Sequence, residues 1–140
     1  MGEKADVTGR GTAEDPWVLQ TPSLGSSFEA HRDEGADPPA LVVQVGTTQL
    51  RYLLSCLDDL HAMLAERGDW VPLGSADEKK PAAEGSVEAW ARDESNPVGG
   101  WYGLRKGYRG RFGNYVPPVL EHLGRAEVEH GGRGNRMRAL

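Results

Sequence analysis

At 140 residues, with a formal net charge of −5, 38% hydrophobic and 26% charged residues, the chain has the size and balance of one globular domain that needs no disulfide or structural metal. Its opening, MGEKADVTGRGTAEDP, lacks the basic-then-apolar order of a secretory leader, and no segment approaches the ~18 apolar residues of a membrane span; a cytoplasmic protein with no membrane partner is expected. The single cysteine, Cys56, excludes an internal disulfide and a cysteine-built zinc site, and is expected as a small apolar residue on a helix.

Charge is divided along the chain. From Gly99 onward eight cations (Arg105, Lys106, Arg109, Arg111, Arg125, Arg133, Arg136, Arg138) face three acids (Glu121, Glu127, Glu129), a local net of +5, which leaves −10 on the first 98 residues. Such a division suggests a basic face for an anionic partner, with an acidic remainder that keeps the protein soluble. The alternative is charge pairing between the two parts of the chain.

Residues 1–15 are polar and without period, which predicts a flexible tail ahead of a single α+β domain over 16–140. Pro16–Gln20 and Ser27–His31 are each long enough for a short strand, and the acidic, proline-bearing Arg32–Pro39 reads as a loop. Ala40–Val45 and Gln49–Leu53, separated by a break at Gly46-Thr47, read as a hairpin. Ser55 and Asp58 fit a capping box at the start of a helix over about 56–67, with Leu57, Leu60, His61 and Leu64 at helical spacing and Gly68 as its C-cap.

Asp69–Leu73 is expected as an extended edge, Gly74–Gly85 as an exposed polar loop dispensable for chemistry, in which changing Glu78 and Lys80 together to Ala leaves stability and any activity nearly unchanged, and Ser86–Ala91 as a further strand. Asn96-Pro97 predicts a helix start, with helix continuing to about Lys106. A last helix is expected from Asn114, which would hold Pro117 and Pro118 near its first turn, and to end at Gly124. Ala126–His130 and Asn135–Leu140, joined by Gly131-Gly-Arg-Gly134, predict a terminal hairpin.

From residue 55 onward this order is that of a winged helix, with the N-terminal hairpin as an extension. It makes 114–123 a recognition helix and the terminal hairpin a wing, and it predicts contact with double-stranded DNA through Arg105, Lys106, Arg109, Arg111, Asn114, Tyr115, Arg133, Asn135, Arg136 and Arg138. The competing reading is a protein-interaction module without nucleic-acid binding. The rings interleaved with charge over 101–112 suit stacking on unpaired bases, but burial is favoured for Trp101 and Phe112.

An enzyme has thinner support. Glu78-Lys-Lys80 has the acid-x-lysine spacing of metal-dependent nucleases, with Asp58 or Asp69 as the partner carboxylate, yet it lies in a polar loop before a proline and reads better as a solvated charge run. Asp58, Asp59 and His61 lack a further zinc ligand, the four histidines show no ligand spacing, and Gly99–Gly103 lacks the lysine of a phosphate loop. No catalytic residue, metal or cofactor is predicted.

Five segments, Asp58-Asp-Leu-His-Ala-Met63, Gly68-Asp-Trp-Val-Pro-Leu-Gly-Ser-Ala-Asp-Glu78, Asn96-Pro-Val-Gly-Gly-Trp-Tyr-Gly103, Arg109-Gly-Arg-Phe-Gly113 with Tyr115-Val-Pro-Pro118, and Asn135-Arg-Met-Arg138, carry a resemblance over most of the chain from Asp15. The chain resembles a family of small uncharacterised proteins from high-GC Gram-positive bacteria. The resemblance implies a bacterial, cytoplasmic setting and transfers no catalytic residue.

Overall fold

Alternating apolar residues dominate the first half of the computed structural model, whose described residues are 9–140. Strands β1 (Trp17–Gln20), β2 (Ser27–Asp33), β3 (Ala40–Val45) and β4 (Thr48–Leu53) form a four-stranded antiparallel meander in that order. Gly46 takes a left-handed φ of 59° in the tight turn that sets Val45 opposite Thr48. One face then carries Trp17, Phe28, Ala30, Leu41, Val43, Leu50 and Tyr52 into the core. β2 outruns its expected end, because Arg32 and Asp33 pair with Leu41 and Ala40.

Of the expected flexible tail, the first eight positions lie outside the described residues. Residues 9–15 turn back on β2, the Arg32 amide donating to the Gly11 carbonyl.

Helix α1 (Cys56–Arg67) buries Cys56, Leu57, Leu60 and Leu64 and stops at Gly68 in the left-handed conformation. Its capping box does not form. Ser55 is itself helical (φ −60°, ψ −13°), so its hydroxyl is turned from the free amides. The second sheet has the order β5-β7-β6, from β5 (Val71–Pro72), β6 (Ala126–Val128) and β7 (Arg136–Ala139), with β5 at an edge as its proline requires.

Three local expectations are corrected. Ser86–Ala91 is not a strand: α2 (Val87–Trp90) starts there, because the Ser86 hydroxyl accepts from the Ala89 amide at 3.1 Å. No helix follows Asn96. Its side-chain oxygen accepts from the amides of Val98 and Gly100, its side-chain nitrogen donates to the carbonyls of Trp90 and Gly100, and the chain closes into a turn. The next segment lies along β4, with Leu53 N–H donating to Tyr102 O and Leu104 N–H to Arg51 O, both at 2.8 Å. Third, α3 (Phe112–His122) begins two residues before Asn114, so Pro117 and Pro118 sit inside it. Both are buried, and the carbonyls of Gly113 and Asn114 forgo their intrahelical donors.

These corrections remove the winged helix. The protein is strand-dominated, with two antiparallel sheets, short helices and one hydrophobic cluster drawing on both sheets. The terminal hairpin does form, but β7 is the central strand of its sheet and not a projecting wing. Met137 is 0% exposed. Arg136 and Arg138 lie on the opposite, outer face.

Neighbouring residues of β7 should therefore respond differently to truncation. Met137→Ala is expected to cost about 2–5 kcal/mol in urea unfolding, whereas Arg138→Ala, exposed and ion-paired, should cost about 1 kcal/mol or less.

Candidate binding clefts beside the third helix

Glu88 is 1% exposed on the short α2. One carboxylate oxygen accepts from the Gly113 amide in the first turn of α3 at 2.8 Å, and the other accepts from Arg92 Nη2 at 2.9 Å. A distant glutamate thus caps α3, whose own N-cap, Arg111, makes no side-chain cap bond. Burial pushes the Glu88 carboxyl up, while the Gly113 amide and Arg92 pull it down.

Arg92 spreads the effect. Its guanidinium also donates to the carbonyls of Lys80 (2.8 Å) and Ala76 (3.1 Å), drawing the segment 76–80 against α2. The Ala76 carbonyl in turn accepts from the Arg111 amide at 2.8 Å. Trp101 receives the guanidiniums of both Arg92 and Arg109 on its ring, at 4.5 and 4.4 Å. The buried Nε atoms of these two arginines have no hydrogen-bond partner among the described residues, and the indole is their neighbour instead.

Glu78 pins the following loop. Its carboxylate accepts from Arg109 Nη2 (2.9 Å) and from the amides of Arg109 (2.7 Å) and Gly107 (3.2 Å). Gly110 allows this approach, since a Cβ there would run into the Glu78 backbone nitrogen and lie 2.8 Å from the Ala76 carbonyl. The Tyr52 hydroxyl donates to the Gly110 carbonyl at 2.8 Å from below. Within the stretch 74–85, Glu78 is therefore not the solvated charge that the polarity of the loop suggests. Glu78 is committed to Arg109 and to backbone, and Asp58, one of the two partner carboxylates considered for the nuclease reading, pairs with Arg125 at 2.7 Å. Among the described residues no three potential metal ligands cluster.

Two clefts flank the first turn of α3. The first, about 280 Å³, has Val45, Leu50, Tyr108 and Tyr115 as its apolar wall and Asp77, Glu78 and Arg111 at its rim. The second, about 340 Å³, lies between residues 74–75, Asn114, Ser23 and the loop of Arg133 and Asn135. Of the residues expected to contact DNA, Arg111 and Tyr115 thus meet in the first cleft, and Asn114, Arg133 and Asn135 in the second. The others are placed apart or already engaged. Arg105 stacks on Tyr108 at 4.1 Å and donates to the Gln49 carbonyl, Lys106 is exposed, and Arg109 is held by Glu78. Arg136 and Arg138 pair with Glu129 (2.7 Å) and Glu127 (2.6 Å) and stack on Trp70.

Phe112 is buried as expected, and Trp101 is half-buried under its two arginines; Tyr108, 43% exposed, is the ring of this stretch presented to solvent. Sequence reasoning missed Glu88, Arg92 and Ser75. The spacing of Glu88 and Arg92, four apart on one helical face, was the available signal for the first two.

The Arg109 side-chain contact, with the two amides, holds the Glu78 carboxyl at about 2, below its ordinary value of 4.5. Because the folded pKa is depressed, this stabilisation is present in full above 4.5 and is lost as pH falls towards about 2. The stability difference between the parent protein and Glu78→Gln should therefore stay constant from neutral pH down to about 5 and shrink across that lower window, as read by urea unfolding at a series of pH values.

No curated protein and no solved structure matches the chain. A model of a family described as "Family of unknown function" covers residues 9–140, almost the whole length. The chain belongs to that family, DUF6855.

Proposed function

We propose that the protein is a non-catalytic interaction module that receives an acidic, apolar-bearing segment of a partner protein in the cleft walled by Val45, Leu50, Tyr108 and Tyr115. The observation that carries this reading is an apolar wall of Val45, Leu50, Tyr108 and Tyr115 beside the cation-bearing loop 105–111. The loop 105–111 bears four cations and no acid of its own, Glu78 holding Arg109 and Asp77 lying 3.6 Å from Arg111, and it borders an apolar wall. Arg111 is the loosest of the ion-paired arginines there, 51% exposed and 3.6 Å from Asp77, so an incoming carboxylate competes with Asp77 for it. A volume of about 280 Å³ lies at the lower limit for enclosing a drug-sized ligand and suits one or two anchoring side chains.

Duplex DNA is the weaker reading on the same geometry. Arg109, Arg111, Arg125, Arg136 and Arg138 each already hold a carboxylate, so a phosphate contact at any of these five would have to displace one, which leaves Arg105, Lys106 and Arg133 for phosphates among the cations from Gly99 onward. No described helix is long and apolar enough to cross a membrane. A bacterial cytoplasm completes the proposal, and the buried, unpaired Cys56, whose thiol burial pushes up, suits a reducing compartment.

The test is an amide-shift titration of the labelled protein with a short peptide of alternating Glu and Leu, run beside mixed-sequence duplex DNA. The peptide is expected to shift residues 45–50 and 107–111. Arg111→Gly should weaken it about tenfold while keeping the fold, since Arg111 has φ 60°, a conformation glycine adopts freely. DNA shifting the same residues more tightly than the peptide would replace this reading with the nucleic-acid one.

A further inference from the structure

The second cleft differs from the first in chemistry. None of its lining residues is acidic, in a chain with 21 Asp and Glu. Ser75 and Arg133, both exposed, and Asn114, half-buried, line its walls, and none of their side chains has a hydrogen-bond, ion-pair or ring partner among the described residues. Every other arginine from Gly99 onward has one. Asn114 is half-buried, and its side-chain amide has no partner among the described residues.

The backbone adds donors of the same sign. The amides of Gly132, Arg133, Gly134 and Asn135 carry no hydrogen bond within the described residues, while Gly131 and Gly134 take left-handed φ values of 84° and 67°. Successive free amides in a glycine-rich turn form the concavity that holds oxyanions. The loop is anchored on both sides: Gly131 N–H donates to Pro22 O at 2.9 Å, and Asn135 O accepts from Leu73 N–H at 3.0 Å. Asn135 braces it further by donating its side-chain amide to the Gly132 carbonyl at 3.0 Å. The first turn of α3 contributes no free charge, because the Gly113 amide is taken by Glu88, itself neutralised by Arg92.

We propose that this cavity is a binding site for a phosphoryl group, held by the Arg133 guanidinium, the Asn114 side-chain amide, the Ser75 hydroxyl and the 132–135 amides. Planar guanidinium with several neutral donors matches the tetrahedral oxygens of phosphate better than a single carboxylate. The site is separate from the peptide-receiving cleft and shares no side chain with it. The source of the group is either a free phosphate compound or a phosphorylated side chain.

Amide-shift titration of the full chain at low ionic strength, where exposed charge is least screened, tests the site with three probes: inorganic phosphate, a capped phosphoserine peptide and sodium acetate. Both phosphoryl probes are expected to give saturable shifts at residues 132–135 and at the Asn114 side-chain amide. Acetate should bind about tenfold more weakly, and tighter binding of the phosphoserine peptide than of phosphate would identify the phosphorylated side chain as the source. Arg133→Gln, in an exposed loop, and Asn114→Asp, nearly isosteric and favourable near a helix start, should each remove the shifts without loss of fold. The assignment is overturned by phosphate shifts no larger than those of chloride at matched ionic strength, or by equal binding in the folded Arg133→Gln variant. Either result leaves the peptide titration at residues 107–111 untouched, so the two proposals fail independently.

Discussion

The buried pair of Glu88 and Arg92 is the constraint on which the arrangement of this half of the molecule depends. A carboxylate 1% exposed is tolerable only if its charge and lone pairs are met, and here they are met by a guanidinium and by the free amides of a helix start. Arg92 has the same need in reverse and meets it at its terminal nitrogens with backbone carbonyls of 76–80, its Nε lacking a hydrogen-bond partner among the described residues. The pair therefore fixes three chain segments at once: α2, the 76–80 stretch and the first turn of α3. Breaking such a pair by removing one partner costs about 3–5 kcal/mol, because the remaining charge is left buried.

One wall of each cleft hangs from these three segments. Ala76 positions Arg111, Glu78 positions the loop 107–109, and α3 presents Asn114 to one cleft and Tyr115 to the other. The arginine-rich third of the chain is thus largely spent on internal organisation. Its cations neutralise acids from the preceding part, as Arg109 does for Glu78, Arg111 for Asp77 and Arg125 for Asp58, or acids on the partner strand, as Arg136 and Arg138 do. The division of charge along the sequence therefore reads mainly as pairing, with Arg105, Lys106 and Arg133 outside any carboxylate pair.

What could be read from sequence was what local periodicity determines. The hairpin of β3 and β4, helix α1 with its Gly68 stop, and the two strands after Gly124 follow from alternation, leucine spacing and glycine placement. The failures share a cause. Ser86, Asn96 and Ser55 are all residues whose side chains bond to nearby backbone, and which bond forms is decided by the fold around them: a helix cap at Ser86, a turn at Asn96 and none at Ser55. The winged-helix order failed because β7 recruits β5 from more than sixty residues earlier, a pairing with no local trace. Of the clefts, the residue types were legible and the grouping was not, since Arg133 and Asn114 meet only after 74–75 has been drawn in beside α3.

Amide hydrogen exchange in Glu88→Gln measures this dependence most directly. The substitution keeps the side chain's size but removes its charge, weakening both the α3 cap and the hold on Arg92. Exchange should accelerate at Gly113 and Arg111, while the amides shared between β2 and β3, which touch neither residue, keep their protection. Uniform acceleration across both sheets, or no change at Gly113 and Arg111, would contradict the account.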